Sequence, residues 1–252
     1  MQEILKAFTI GSSTNVLEAL QKIDQNKKGF LVVIDENDKA LGTITDGDIR
    51  RAFISGIDLS SNIEAIYRSD FTCLKMDDGL SKAIDLFKDM RFKFLPVIDN
   101  DGKLVNLITR NQLHSLLLQD IHADLNYDFT SLDESIVDHE IFQRPWGFYK
   151  TTVMNNYFQA KVICVYPGQQ LSLQSHNHRE EYWIVAHGEG KVQLGESIVS
   201  ATSGRTFFIP KGCKHRLMNT GETENLIITE LQLGDYFGED DIVRYEDIYG
   251  RD

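Results

Sequence analysis

A chain of 252 residues with 42% hydrophobic and 25% charged side chains is longer than most single domains and has ample material for a core, so two domains are expected and wholesale disorder is excluded. The formal net charge of -12, from 38 acidic against 26 basic side chains, repels a phosphate backbone and argues against nucleic acid as a partner. Cys73, Cys164 and Cys213 are scattered without a CxxC pair, which indicates reduced thiols; the start MQEILKAFTIGSST lacks a leader pattern and no run approaches the ~18 apolar residues of a membrane span, so a cytoplasmic protein with no membrane partner is expected.

Slid against itself at an offset of 64 residues, the chain matches FLVVIDENDKALGTITDGDI from Phe30 with FLPVIDNDGKLVNLITRNQL from Phe94 without gaps. A repeat of this period marks two copies of one supersecondary unit. In each copy an apolar run ends in Asp (Asp35, Asp99), a polar turn follows (Asn37-Asp38, Asp101-Gly102), and a second apolar run ends in Ile-Thr, which reads as a hairpin. Helical patterns precede the hairpins, through Val16, Leu17, Leu20 and Ile23 and through Leu80, Ile84, Leu86 and Phe87, with Thr14 and Asp78 as N-cap candidates. Short helices follow at Asp46 to Ile54 and Asn111 to Leu118.

This helix, strand, strand, helix order, with the GTITDGDIRRA and FLPVID stretches, resembles a tandem CBS domain over residues 1–120. The resemblance implies an α+β regulatory module that binds adenine nucleotides, with a Thr-x-x-Asp step contacting phosphate and ribose. Thr45 and Asp48 meet that step, and they are equally suited to capping the helix that follows. In the second copy Thr109 is present and Gln112 replaces the Asp; a neutral amide presents one acceptor where a carboxylate presents two.

Residues 121–143 are expected to be an acidic linker. Asp120 to Gln143 carries seven carboxylates and neither Lys nor Arg, although Leu125, Tyr127, Phe129, Ile136 and Val137 have the character to dock on a domain. His122 and His139 lie inside it without companion ligands.

From Arg144 onward, short alternating strands are punctuated by turns at Met154-Asn155-Asn156, Pro167-Gly168, Gly195-Glu196, Lys211-Gly212 and Thr220-Gly221, the pattern of an all-β sandwich or barrel. Period-two alternation puts Gln174, His176 and His178 on one face. Two imidazoles there, with Glu181 from the adjoining turn or strand and His215 from a later strand, form a candidate set for one divalent ion; Zn, Mn, Fe, Co and Ni all suit three nitrogens and a carboxylate, with Zn the first expectation.

HxHxxE with Gly188 seven residues on, then Gly204-x5-Pro210-x-Gly212-x2-His215-x3-Asn219, resembles the two cupin motifs, which implies a double-stranded β-helix, or jelly-roll barrel, over residues 144–252. RPWGFYKTT, PGQQLSLQSHNHREEYWIVAHGEGKV, FIPKGCKHRLMNTG and ELQLGDYFGEDDIVRYEDIYGR resemble, more closely, the C-terminal domain of the phosphomannose isomerase/mannose-1-phosphate guanylyltransferase family. The resemblance implies metal-dependent interconversion of mannose 6-phosphate and fructose 6-phosphate. Tyr182 stands where that family commonly has His, and nothing before Arg144 resembles the guanylyltransferase signature.

Aldose to ketose isomerisation needs an electrophile, a proton carrier and cationic phosphate recognition. Glu180, Lys214 and His187 are the candidates for the proton carrier. Arg179, Arg216, Arg244 and Arg251 are phosphate-anchor candidates, Gln174 is a candidate for a sugar hydroxyl, a fifth metal neighbour or a packing residue of a polar barrel, and the acidic Glu239, Asp240 and Asp241 either orient Arg244 by ion pairing or form a solvated turn. A non-catalytic sensor of a sugar phosphate or nucleotide sugar, and a cupin isomerase acting on another activated sugar, are the alternatives. A homodimer is expected by analogy with both families.

Overall fold

The protein is described by a computed structural model covering residues 5–138 and 140–250; His139 lies outside the described residues. It divides into two compact units, Met1–His114 with His122–Leu132, and Ser115–Ile121 with Asp133–Asp252. Among the described residues no helix is long and apolar enough to cross a membrane.

The first unit carries the repeat. Its first copy runs β1 (Thr9–Gly11), α1 (Val16–Asn26), β2 (Phe30–Ile34), β3 (Ala40–Thr45) and α2 (Asp46–Ile54); the second runs β4 (Leu74–Lys75), α3 (Leu80–Phe87), β5 (Phe94–Ile98), β6 (Leu104–Thr109) and α4 (Arg110–Leu118), the helix in which the division between the units falls. The two hairpins pair in the same register, Phe30 opposite Thr45 and Phe94 opposite Thr109. Each copy also has a short leading strand, β1 or β4, parallel to the first hairpin strand; two or three residues are too few for alternation to betray a strand. The copies meet hairpin to hairpin. Ala40 donates to Gly102 O at 3.0 Å and Leu104 to Asp38 O at 3.0 Å, and the rings of Phe30 and Phe94 stack 3.6 Å apart.

The helix starts fall one residue beyond the predicted caps. Asn15 caps α1, its side chain accepting from Glu18 N at 2.9 Å, while Thr14 is occupied with Gly11 O. Gly79 starts α3 and Asp78 instead accepts from Lys75 N. Within the acidic stretch, Leu125 and Phe129 are buried and Asn106 Nδ2 donates to the carbonyls of Leu125 and Tyr127, so residues 122–132 are fastened to the first unit.

After the short helix α5 (Ser135–Asp138), the second unit is a barrel of β7 (Ile141–Arg144), β8 (Gly147–Met154), β9 (Phe158–Val165), β10 (Leu173–His176), β11 (Arg179–His187), β12 (Glu189–Leu194), β13 (Ser197–Thr202), β14 (Thr206–Ile209), β15 (His215–Asn219), β16 (Leu226–Gly234) and β17 (Ile242–Glu246). One sheet has the order β13-β12-β15-β10-β17 and the other β14-β11-β16-β9-β8-β7. This is the double-stranded β-helix expected.

Register builds the interior in layers. Val185, Ile228 and Ile163 face one another across β11, β16 and β9; the next layer is Trp183, Glu230 and Lys161, and the one beyond is Glu181, Gln232 and Gln159. One end of the barrel is therefore an apolar core, with Val165, Val192, Leu217 and Leu226 among its members, and the other end is polar.

Gly188, between β11 and β12, has φ +80°, and a Cβ there would lie 2.4 Å from Asn225 O. Gly188→Ala is expected to cost ~1–3 kcal/mol from backbone strain, read by calorimetry as a fall in thermal midpoint of about 2–4 °C per kcal/mol. Gly195→Ala, with nothing within 4 Å of its Cβ, is expected to cost less.

Candidate metal centre

His176 ends β10, His215 opens β15 beside it, and Glu181 comes from β11 in the opposite sheet, so the centre spans the barrel. Their donor atoms lie within 4.8 Å of one another, with His176 Nε2 3.1 Å from Glu181 Oε1 and His215 Nε2 3.4 Å from Glu181 Oε2. All three side chains are buried.

Protonation follows from the surroundings. His215 Nδ1 lies 2.9 Å from Cys213 O; a carbonyl only accepts, so Nδ1 carries a hydrogen, and in the neutral ring Nε2 presents a lone pair. That lone pair points at a carboxylate oxygen. Burial pushes the His176 imidazole below its ordinary pKa, against the pull of Glu181, and among the described residues neither of its ring nitrogens has a hydrogen-bond partner. Burial would raise the Glu181 carboxyl, but the adjacent His176 and His215 rings outweigh it and hold it well below the usual range. Two imidazoles and one carboxylate converging in a dry site form a donor set that could hold a divalent ion, with positions left open for substrate.

The carboxylate is held from behind. Trp183 Nε1 donates to Glu181 Oε2 at 3.1 Å and to Glu230 Oε2 at 2.8 Å. Gln232 Nε2 donates to Glu181 Oε1 at 3.0 Å and to Glu230 Oε1 at 2.9 Å. Burial, and then the charge of Glu181, push the Glu230 carboxyl up to about 8.

The sequence-predicted residues separate into those the barrel gathers and those it does not. His178 is apart from the centre: β10 stops at His176, residues 177–178 form a bend, and alternation restarts at Arg179. Its side chain is 56% exposed, with Nδ1 3.5 Å from Asp235. Gln174, Arg179 and Arg244 line the cavity next to the centre. Arg179, however, is already engaged, with Glu181 at 3.5 Å, Gly238 O at 3.0 Å and Asp241 at 3.5 Å, which makes it a brace for the centre rather than a free anchor. Asp241 in turn accepts from the backbone N–H of Asn177 and of His178, tying the 238–241 turn to the bend after His176.

Glu180, Lys214 and His187 all lie outside the cavity. Glu180 accepts from Tyr182 OH on the outer face of β11, Lys214 sits over the Tyr245 ring at 4.0 Å, and His187 is exposed beside Glu224. Arg216 is paired with Gln193 and Glu246, and Arg251 lies outside the described residues. The acidic turn does not orient Arg244: Glu239 faces Arg144 and Lys161, and Asp240 accepts from Tyr236 OH. Tyr182 is 39% exposed on the outer face.

The cavity is also lined by Arg144, Tyr149, Lys161, Glu230, Gln232 and Glu239, of which the sequence singled out only Glu239, and that as a partner for Arg244. A signal for two of them was present: Lys161 in FQAKVICV and Glu230 in LIITELQLG are single charges within apolar strands, at the parity that faces inward. The open space amounts to about 50 Å³, room for a few water molecules.

In the first unit, Thr45 and Asp48 form a capping box at the start of α2. Asp48 Oδ2 accepts from Thr45 N and Oγ1, and Oδ1 accepts from Arg51 and Arg68. Thr109 and Gln112 make the equivalent reciprocal pair, with Thr109 N to Gln112 Oε1 at 2.9 Å and Gln112 N to Thr109 Oγ1 at 3.2 Å. The box accepts either side chain because one acceptor is enough for it.

Residues 132–247 match the family model described as mannose-6-phosphate isomerase C-terminal, and residues 2–55 and 63–118 match the CBS domain. The chain is a CBS pair joined to a mannose-6-phosphate isomerase-type cupin. Curated relatives of this cupin include the xanthan biosynthesis protein XanB of Xanthomonas campestris, 49% identical over 113 residues, covering 45% of this chain and 24% of that protein. The alginate biosynthesis protein AlgA of Pseudomonas putida is 39% identical over 167 residues, covering 62% and 34%. The chain thus spans about a quarter to a third of the length of these relatives. Among solved structures, a conserved protein with a double-stranded β-helix domain from Klebsiella pneumoniae matches with TM-score 0.38 at 21% identity, covering 44% of this chain and 95% of that one.

The geometry of this cupin predicts that His215→Ala abolishes stoichiometric uptake of a divalent ion, measured by elemental analysis, and that His178→Ala affects it less. Trp183→Phe, which removes the donor shared by Glu181 and Glu230, is expected to weaken metal affinity about 10–100-fold. A second expectation concerns pH. The Glu230 carboxyl rises from its ordinary 4.5 to about 8 on folding, so its protonated form favours the fold and that stability is lost as pH rises through 8. In the metal-free protein, Glu230→Gln should therefore gain thermal stability relative to wild type as pH is raised from about 5 to 8.

Proposed function

We propose that this chain is a metal-dependent aldose-ketose isomerase interconverting mannose 6-phosphate and fructose 6-phosphate, with the CBS pair as a nucleotide-sensing or dimerisation module. The observation that carries the reading is the combination inside one barrel end of the buried His176, Glu181 and His215 set with the cations Arg144, Lys161 and Arg244 and the carboxyl Glu230. A bound divalent ion supplies Lewis-acid polarisation of the sugar oxygens. Glu230, beside the centre with its carboxyl near neutral pKa, is the group suited to carry the proton between C1 and C2. Gln174 and Arg244, paired across β10 and β17 next to His215, are suited to orient sugar hydroxyls.

Tyr182 lies on the outer face, so the substitution leaves the cavity lining unchanged and lends no weight to a non-catalytic reading. For the CBS pair, an adenine nucleotide contacting Thr45 and Asp48 would have to compete with Arg51 and Arg68 for the same carboxylate.

Metal-loaded protein is expected to interconvert the two hexose phosphates in a coupled assay, with activity lost on chelation. Glu230→Gln is expected to lower kcat by about 10²–10⁴-fold with metal content retained. A metal-loaded, folded wild type that turns over no hexose phosphate would sink the proposal.

A further inference from the structure

In the wall of the cavity, three donors surround one carboxylate of the protein's own. Tyr149 OH donates to Glu239 Oε1 at 3.1 Å, Lys161 Nζ lies 3.7 Å from the same oxygen, and Arg144 Nη2 lies 3.5 Å from Oε2. The donors come from adjacent strands in the order β9-β8-β7. The Tyr149 ring places both cations, with Lys161 Nζ 4.7 Å and Arg144 Cζ 5.4 Å from its centroid, a cation–π arrangement on a buried ring.

The fit to Glu239 is incomplete. Charge-assisted hydrogen bonds between nitrogen cations and carboxylates run about 2.7–2.9 Å, and both cationic contacts here are longer than 3.4 Å. Two positive charges face a single negative one, whereas a phosphate monoester brings close to two negative charges and three oxygens at neutral pH. Lys161 is almost fully enclosed, its side chain 6% exposed, while Glu239 is 43% exposed. The turn carrying Glu239 is fastened independently through Gly238 O to Arg179 and through Asp241 to residues 177 and 178, so the Glu239 side chain can rotate out while its backbone stays. Something must move: the present open space of about 50 Å³ holds a few waters and no hexose phosphate.

We infer that Arg144, Tyr149 and Lys161 form a cradle for a phosphate monoester, and that the Glu239 carboxylate is a resident anion which the ligand displaces. The cradle and the metal-binding candidate Glu181 line the same cavity, so a phosphate held in the cradle leaves the sugar carbons beside the centre. This placement rests on the reading that the cavity takes a sugar phosphate, but phosphate binding is measurable without turnover.

The test is calorimetric titration of the full-length, metal-loaded chain with inorganic phosphate, with mannose 6-phosphate and with neutral mannose. If Glu239 holds the cradle nine-tenths of the time, Glu239→Gln tightens both phosphate ligands about tenfold and leaves mannose unaffected. Arg144→Gln and Lys161→Met weaken the phosphate ligands, Arg144→Gln being the informative one if Lys161→Met does not fold. Arg216→Gln, outside the cavity, changes nothing. A folded Glu239→Gln variant that binds phosphate no more tightly than wild type overturns the inference, even if the enzyme is an active isomerase. Tightening in a protein that isomerises nothing would uphold the cradle and defeat the proposed function instead.

Discussion

The confrontation of acceptors at His176, Glu181 and His215 is the constraint around which the barrel end is organised. A carboxylate with almost no exposure is costly unless its lone pairs are met. Here Trp183, Gln232 and Arg179 meet it from one side, leaving the imidazoles opposite. Arg179 then needs further acceptors of its own and finds them in Gly238 and Asp241. Asp241 returns the connection to the backbone beside His176. The acidic turn after β16 is thus a buttress for the centre, and its first carboxylate, Glu239, is left over to face the cavity.

Strand register turns this local network into a gradient. Because β11, β16 and β9 are paired without slippage through the central layers, inward residues change together from apolar at one end to charged at the other. The apolar layers supply the burial that holds the barrel closed, and the charged layers are tolerated because they complete one another's hydrogen bonds. Lys161 and Glu230, paired across strands in the middle layer, lie between the apolar end and the layer of Glu181. The repeat in the first unit follows a different economy: one hairpin and one capping box are used twice, and the change from Asp48 to Gln112 preserves the box while removing two possible charge partners.

Much of this was legible in the chain. The 64-residue offset and the paired apolar runs flanking Asn37-Asp38 and Asp101-Gly102 marked two hairpins of one design. The cap positions were less certain, since Thr14 and Asn15 are both good caps and only the path of the preceding strand chooses between them. His176, Glu181 and His215 were readable from spacing. His178 was assigned inward by continuing the alternation through Asn177, and the structure differs because the strand has ended there and a bend reverses the parity. Glu180 and Lys214 adjoin Glu181 and His215 in sequence, and neighbouring residues on a strand point to opposite faces, while His187 lies at the exposed end of β11.

Local pattern and spacing determined the two domain types, the hairpins, the capping boxes and the three buried metal-binding candidates, because these depend on periodicities of a few residues. Which charges share a cavity was decided by tertiary structure alone. Lys161 meets Tyr149, Arg144 and Glu239 only when β7, β8, β9 and the turn after β16 are brought together, and Glu230 acquires its raised pKa only from burial beside Glu181. Burial and cross-strand proximity are properties of the closed barrel, and neither exists along the chain until the sheets have paired.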